Sequence, residues 1–195
     1  MKRYISVLFI LALTLAGCST SIDEEKDKTA KVVEDMVDHK AEAKEKAGDI
    51  EFYLPFGAEV EKETSHNVII KKGSDTFILF NNPQEDKDSD LLYKTSLEDE
   101  TDVVKKGTFQ GKDGLGYYII KSIPDSEKYE LIVGVGGTKV STQSDEGDLS
   151  DHAKMMMKMA TSVKTSKDLI HAIGSFFVCI FIWTNDTCVF TLVKD

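Results

Sequence analysis

Five β-rich runs separated by turn residues constrain the fold more than any other feature of this 195-residue chain. The runs are residues 68–70, 76–80, 115–121, 129–135 and 138–142. Gly73-Ser74-Asp75 separates the first two runs, which is typical of a β-hairpin. Pro124-Asp125-Ser126 and Gly136-Gly137 separate the last three, and such short turns join antiparallel neighbours. The pattern therefore predicts hairpins and a β-meander in an antiparallel sheet.

Two helical segments accompany these strands. Asp148 is a favourable N-cap, and apolar residues follow it at helical spacing. They are Leu149, Ala153, Met156, Ala160 and Val163. Methionines at 155, 157 and 159 widen this face, either for core packing or for an adaptable binding groove. A shorter helix begins at Ser89 or Asp90 and runs to about residue 100. We therefore expect an α+β fold, in which the antiparallel sheet packs with a C-terminal helix and one shorter helix.

The first eighteen residues are typical of an export signal. A basic start at Met1-Lys2-Arg3 precedes an almost wholly apolar stretch over 4–15, and small residues follow it. The apolar stretch is shorter than the roughly 20 residues of a transmembrane helix. Leu15-Ala16-Gly17-Cys18 resembles the lipobox of bacterial lipoproteins, which implies cleavage before Cys18 and lipidation of its sulfur. An ordinary cleaved signal and an uncleaved anchor are the alternatives.

The charge of the chain bears on its partners. A net charge of -10 and interleaved lysines and acids argue against nucleic acid as a partner. Acidity also disfavours anionic lipid, so we expect membrane residence through the acyl chains on Cys18.

We divide the chain into four zones. Residues 1–17 are the lipoprotein signal peptide, and 18–48 form a partly helical tether. Within that tether, the mixed-charge run 21–28 is expected to be solvated, and a short helix is expected over 29–46. Residues 49–164 form the α+β globular domain.

Residues 165–195 are an atypical apolar tail with three interpretations: a non-native or poorly folded addition, added strands, or a membrane contact. The tail contains Cys179 and Cys188. An exported protein can keep disulfides, so either a Cys179–Cys188 bridge or two free thiols is compatible with the sequence.

The globular segment resembles the PsbP/Mog1-like type of small exported domain. The resemblance rests on the opening 50–57, the meander and the closing helix that ends in Ser162-Val163-Lys164. It covers roughly residues 49–164. It implies an α+β sandwich whose roles are mostly binding or assembly, and it transfers no site residue.

No catalytic or metal-binding pattern is present in the sequence. The four histidines, His39, His66, His152 and His171, lack metal-ligand spacing. The acids at 86, 88 and 90 imitate the start of a calcium loop, but Leu91 and Leu97 occupy its glycine and glutamate positions. We therefore predict no metal and no cofactor. The candidate ligand-facing residues are Tyr53, Tyr117 and Tyr118, which a half-exposed sheet face explains equally well.

These observations predict a lipid-anchored, non-catalytic binding or assembly module on the outer face of a bacterial cell membrane. The expected partners are the membrane, through the N-terminal lipid, and an envelope protein. The lysine-rich, cysteine-poor composition and short signal favour a Gram-positive source. The alternative is a small envelope hydrolase or small-ligand carrier whose site forms only in three dimensions.

Overall fold

The computed structural model describes residues 21–64, 66–98 and 101–165. Cys18 and the signal peptide lie outside the described residues, as do residues 166–195 with His171, Cys179 and Cys188. The expectations about lipidation, disulfide pairing and the tail therefore stay predictions.

The described residues form three α-helices and ten strands. The helices are α1 (Ile22–Met36), α2 (Leu91–Thr95) and α3 (Leu149–Ser162). The strands are β1 (Glu45–Ala47), β2 (Ile50–Phe52), β3 (Glu59–Glu63), β4 (Asn67–Lys72), β5 (Asp75–Asn81), β6 (Val103–Gln110), β7 (Leu115–Ser122), β8 (Tyr129–Val135), β9 (Thr138–Ser144) and β10 (Lys164–Thr165). A 3₁₀ turn, Glu146–Asp148, precedes α3.

Seven of the strands form an antiparallel sheet in the order β3-β4-β5-β9-β8-β7-β6. The predicted hairpin is β4–β5, which closes at the pair Lys72↔Asp75 around Gly73, whose φ is +60°. The predicted meander is β7–β8–β9, and β9 returns to pair with β5. The expected α+β fold, with an antiparallel sheet, a C-terminal helix and a shorter helix, is confirmed.

A second, small sheet has the order β1-β2-β10. Because β2 pairs with both outer strands, this sheet joins the segment before β2 to the segment that follows α3. The N–H of Tyr53 donates to Ser162 Oγ at 2.7 Å, which ties the end of β2 to the last turn of α3.

The main core lies between one face of the large sheet and the helices α1 and α3. Its largest fully buried side chains are Phe52, Ile70, Phe77, Leu79, Ile120, Leu131, Leu149, Met156, Met157 and Met159. The methionines of α3 therefore serve core packing, where their flexible side chains fill the space between helix and sheet.

The other face of the sheet is covered only in part. The short helix α2 and the turn after it place Leu92 and Leu97 over Tyr117, Ile119 and Ile132. The helix begins after Asp90 but ends at Thr95, earlier than predicted.

The helix expected over 29–46 is wrong in its bounds: α1 spans Ile22–Met36, and residues 45–47 form β1. The run 21–28 is therefore part of the helix, although most of its residues are exposed as expected. Ser21 caps α1, with its Oγ accepting from the N–H of Glu24 at 3.4 Å. Glu25, Thr29 and Val33 follow at i, i+4 spacing and are all buried. The helical spacing of these buried positions is not evident from the sequence, because two of the three residues are polar. The buried hydroxyl of Thr29 donates a hydrogen bond to the carbonyl of Glu25 at 2.8 Å.

Because α1 belongs to the core, truncating one of its buried side chains should destabilise the whole domain. Val33 is completely buried, so V33A should lower the free energy of unfolding by about 2 kcal/mol, from lost burial and the cavity left behind. Urea unfolding followed by circular dichroism measures this change. The exposed neighbour provides the control, K31A, which should be nearly neutral. Equal stability of V33A and the parent protein would mean that α1 is a detached tether.

Candidate functional site

A cleft of about 640 Å³ lies at the end of the molecule where α1 and α3 both terminate. We call it the terminal cleft. The loop from β5 to α2, the β6–β7 hairpin and the start of β9 complete its walls. Its apolar lining consists of Val37, Ala41, Val135, Ala160 and Val163. Its polar lining consists of Lys40, Lys87, Asp113, Thr138, Thr161, Ser162 and Lys164.

Two glycine turns hold Lys87 at the rim of the terminal cleft. The carbonyl of Lys87 accepts from the N–H of Leu115 at 2.9 Å. A Cβ at Gly114 or at Gly136 would come within 2.5 Å of that carbonyl, and both glycines have positive φ. The close approach of the β5–α2 loop to both turns therefore requires glycine at these positions.

The end of α1 is attached to the β6–β7 hairpin. Asp38 Oδ1 accepts from the N–H of Lys112 at 2.6 Å, and Lys40 Nζ pairs with Asp113 Oδ1 at 2.8 Å. The hydrogen bond from Lys40 lowers the pKa of the Asp113 carboxyl, so this pair keeps its charges at neutral pH. On the other side, Thr161 Oγ1 donates to the carbonyl of His39 at 2.8 Å, which ties α1 to the last turn of α3.

The hydroxyl groups of the terminal cleft are engaged within the protein, whereas two of its lysines are not paired within the part of the chain that the structure describes. The Ser162 hydroxyl donates to the carbonyl of Met159 and accepts from a backbone N–H, and Thr138 Oγ1 donates to Asn81 Oδ1 at 2.9 Å. Among the described residues, the ammonium groups of Lys87 and Lys164 have no ion-pair partner within 4 Å. The cleft therefore offers cationic donors above an apolar floor.

An adjoining recess of about 430 Å³ shares Lys87, Val135, Thr138 and Val163 with the terminal cleft. Its remaining walls carry amides and carboxylates: Asn81, Asn82, Gln84, Glu85 and Asp86. The β5–α2 loop therefore contributes Lys87 to the terminal cleft and the acids Glu85 and Asp86 to the recess beside it.

The three tyrosines predicted to face a ligand do not lie together. Tyr117 is completely buried beneath α2, and its hydroxyl donates to the carbonyl of Thr138 at 3.1 Å. Tyr118 points to the opposite face of the sheet, is 3% exposed and stacks on Phe109. Neither side chain is presented to a ligand in this conformation. Tyr53 is half-buried and lines a shallow groove beside α3.

His152 forms a Ser–His–Asp arrangement whose serine is inaccessible. Its Nδ1 lies 2.9 Å from Ser144 Oγ and its Nε2 lies 3.5 Å from Asp75 Oδ2. Ser144 is completely buried, and its hydroxyl donates to the carbonyl of Asp145 at 3.0 Å. A nucleophilic serine must be accessible and must give its proton to the imidazole. These residues instead join α3 to β5 and β9.

A second serine, Ser96, lies near Lys139 on the opposite face of the sheet. Lys139 Nζ is 3.4 Å from Ser96 Oγ, and burial lowers the pKa of that lysine. However, the N–H groups of Leu97 and Glu98, which follow the serine, donate to carbonyls of the preceding turn. They provide no oxyanion hole, so this pair lacks the remainder of a hydrolase site.

The described part of the chain contains no group of three or more His, Cys, Asp and Glu side chains that could hold a metal ion. Within the same residues, no helix is long and apolar enough to span a bilayer.

No model of a known protein family matches this chain, and no curated protein matches it. Among solved structures, it is similar to cyanobacterial PsbP (CyanoP) from Synechocystis, at 11% sequence identity and a TM-score of 0.38. The match covers 60% of this chain and 86% of the cyanobacterial protein. PsbP is also the type of domain to which the globular segment was compared on its sequence.

The residues of the terminal cleft were not predicted from the sequence. Lys40, Lys87, Asp113 and Lys164 lie on four separate segments, and none belongs to a recognisable motif. The only local signal is the pair of glycines, Gly114 and Gly136, which mark close approaches of the backbone.

The buried position of Tyr117 predicts a specific pH dependence of stability. Burial raises the pKa of the Tyr117 phenol, so the folded state retains a proton that the unfolded chain loses above about pH 10. Its contribution to stability is complete below that pH and is lost as the pH rises. The change Y117F should cost about 1 kcal/mol at neutral pH, from the lost hydrogen bond. It should also flatten the fall in unfolding free energy above about pH 10. Urea unfolding of the parent protein and Y117F across this pH range tests both expectations. If their unfolding free energies fell in parallel above about pH 10, the raised pKa of Tyr117 would be contradicted.

Proposed function

We propose that the protein is a lipid-anchored, non-catalytic binding module on the outer face of a bacterial cell membrane, and that the terminal cleft is its binding site. Two observations support this proposal. The lipobox-like Leu15-Ala16-Gly17-Cys18 supports the anchor, and the cationic cleft without a catalytic group supports binding.

The position of α1 defines how the domain would stand on the membrane. Ser21, the N-cap of α1, lies three residues after Cys18. An extended chain spans at most about 3.6 Å per residue, so the start of α1 would lie within about 11 Å of the lipidated sulfur. The N-terminal end of α1 would therefore rest close to the lipid headgroups.

The terminal cleft lies at the opposite end of α1. The last turn of α3 contacts the carbonyl of His39 just beyond α1, and the 3₁₀ turn before α3 also contacts α1. The two helices are therefore parallel. At about 1.5 Å per residue, α1 places its two ends about 20 Å apart. The terminal cleft would face away from the bilayer, towards molecules of the envelope.

The observation that carries the proposal is the local reversal of charge. The whole chain has a net charge of -10, yet three lysines and one aspartate line the terminal cleft. Lys40 is neutralised by Asp113 at 2.8 Å, which leaves Lys87 and Lys164 for an anionic group of the bound molecule. An acidic segment of an envelope protein satisfies this requirement.

A small-ligand carrier is the second candidate function. The volume of about 640 Å³ lies within the range of small-molecule sites, and the apolar floor would hold the uncharged part of such a ligand. The hydrolase alternative is not favoured, because Ser144 is buried and Ser96 lacks an oxyanion hole.

The anchor is tested by replacing the proposed lipid attachment residue. In C18S, no thiol is available for diacylglycerol, so the protein should leave the membrane fraction. Fractionation and intact mass of the native and variant proteins measure both location and acylation. An unacylated native protein would contradict the lipid anchor. A variant that stays in the membrane fraction would do so only if its intact mass shows that the signal peptide has been removed.

The binding site is tested by reversing its free charges. The double variant K87E/K164E should reduce co-purification of crosslinked envelope components by at least tenfold, because the anionic group would meet two carboxylates. The matched control is K31E/K62E, which makes the same charge change at exposed lysines outside the terminal cleft. Quantitative mass spectrometry of proteins and small molecules separates the two candidate functions. Equal recovery with both double variants would place binding elsewhere.

A further inference from the structure

A rigid turn presents one phenylalanine to solvent. The N–H of Ala58 donates to the carbonyl of Pro55 at 3.0 Å, and Gly57 has a φ of +76°. These features define a type II turn with Phe56 at its first central position. Pro55 is buried and fixes the base of the turn, whereas the side chain of Phe56 is 97% exposed.

Lysines surround this turn. A shallow groove next to Phe56 is lined by three lysines and one acid, Lys72, Lys154, Lys158 and Asp151, together with Tyr53 and Met155. In the described part of the chain, none of these lysines has a carboxylate within 4 Å of its ammonium group. Lys158 Nζ instead lies 6.0 Å from the centre of the Tyr53 ring. Phe56, Tyr53, Met155 and the three lysines are called the Phe56 patch below.

The Phe56 patch extends along the side of α3. Lys154 belongs to the second turn of α3 and Lys158 to the third, while the N–H of Tyr53 donates to Ser162 in the last turn. Lys72 ends β4 just before the β4–β5 turn, which adjoins the start of α3, where Asp75 approaches His152 at 3.5 Å. Because α1 and α3 are parallel, Lys72 lies towards the end of the molecule that carries Ser21.

We propose that the Phe56 patch is a contact surface for an anionic lipid bilayer. An aromatic side chain at a convex turn can enter the boundary between headgroups and acyl chains, while lysine stems allow their ammonium groups to reach lipid phosphates. Each lysine near an anionic surface increases binding by about fivefold. The acidic remainder of the chain does not cancel this attraction, since charges more than about 8 Å from the surface are screened at physiological salt.

The shape of the Phe56 patch favours a bilayer over a protein partner. A specific protein interface buries about 800 Å² on each side around an apolar centre. Here one exposed ring stands at the apex of a turn, and the groove beside it has a volume of only about 240 Å³. A fluid headgroup layer can surround such a projection without a complementary surface.

This inference goes beyond the proposed lipid anchor and does not require it. A lipid on Cys18 and the Phe56 patch would together attach the domain at two separate points. Two attachments would fix its orientation, whereas a lipid alone leaves the domain free to rotate.

The experiment uses the mature chain, 18–195, with C18S to exclude acylation and W183F to remove the only tryptophan. In this background, F56W reports the environment of the turn when vesicles of phosphatidylcholine, with or without phosphatidylglycerol, are added. The matched control is L91W, since Leu91 is 44% exposed and belongs to α2 on the opposite face of the sheet. We expect a blue shift and quenching by brominated lipid for F56W with phosphatidylglycerol vesicles, and neither for L91W.

Two further variants test the chemistry in the C18S background, with vesicle co-sedimentation as the measurement. F56A should lower the partition coefficient by about tenfold, and K154E/K158E by at least as much, with unchanged unfolding midpoints. Equal quenching at positions 56 and 91, or partitioning that neither variant changes, would overturn the proposal. The proposal would also be overturned if a protein partner bound only when Phe56 was present and the protein did not bind to vesicles. Because the chain here is unacylated, these results are independent of the outcome of the lipid-anchor experiment.

Discussion

The packing of α1 and α3 side by side on one face of the large sheet is the constraint on which the rest of the structure depends. Val33 of α1 and Met156 of α3 are both completely buried in this layer. Because the helices are parallel and of similar length, they end at the same edge of the sheet. Their ends leave a space between them and the loops of that edge, and this space is the terminal cleft. The cleft is therefore a consequence of helix packing, and its lysines lie on segments that the packing brings together.

The sequence predicts the elements whose signals are local. Alternating β-rich runs and turn residues give the β4–β5 hairpin and the β7–β8–β9 meander, because each turn lies between the strands that it joins. The start of α1 was missed because Glu25 and Thr29 occupy buried positions that an apolar pattern would mark. The three-stranded sheet lacks such a local signal. Two of its strands have three residues and one has two, so tertiary contacts rather than propensity determine them.

The candidate sites were less predictable than the fold, for a physical reason. Tyr117 and Tyr118 are neighbours in sequence, but successive side chains of a strand point to opposite faces. Whether either reaches solvent depends on what covers each face. Here α2 covers Tyr117, and the layer of α1 and α3 covers Tyr118. The terminal cleft depends in the same way on contacts between distant segments, such as the approach of Gly136 to the carbonyl of Lys87.

The distribution of charge links the two surfaces that we infer. An acidic chain is soluble and resists non-specific association with anionic molecules, so a binding surface for an anion must be positive locally. Exposed lysines do this at the terminal cleft and at the Phe56 patch. The two surfaces border the same helix, because Lys158 of the patch lies within one turn of Thr161 of the cleft and the N–H of Tyr53 donates to Ser162. One helical turn is about 5.4 Å, which is shorter than the distance of about 8 Å over which salt screens a charge. The lysines of the two surfaces therefore reinforce one another's positive potential along this side of an otherwise acidic chain.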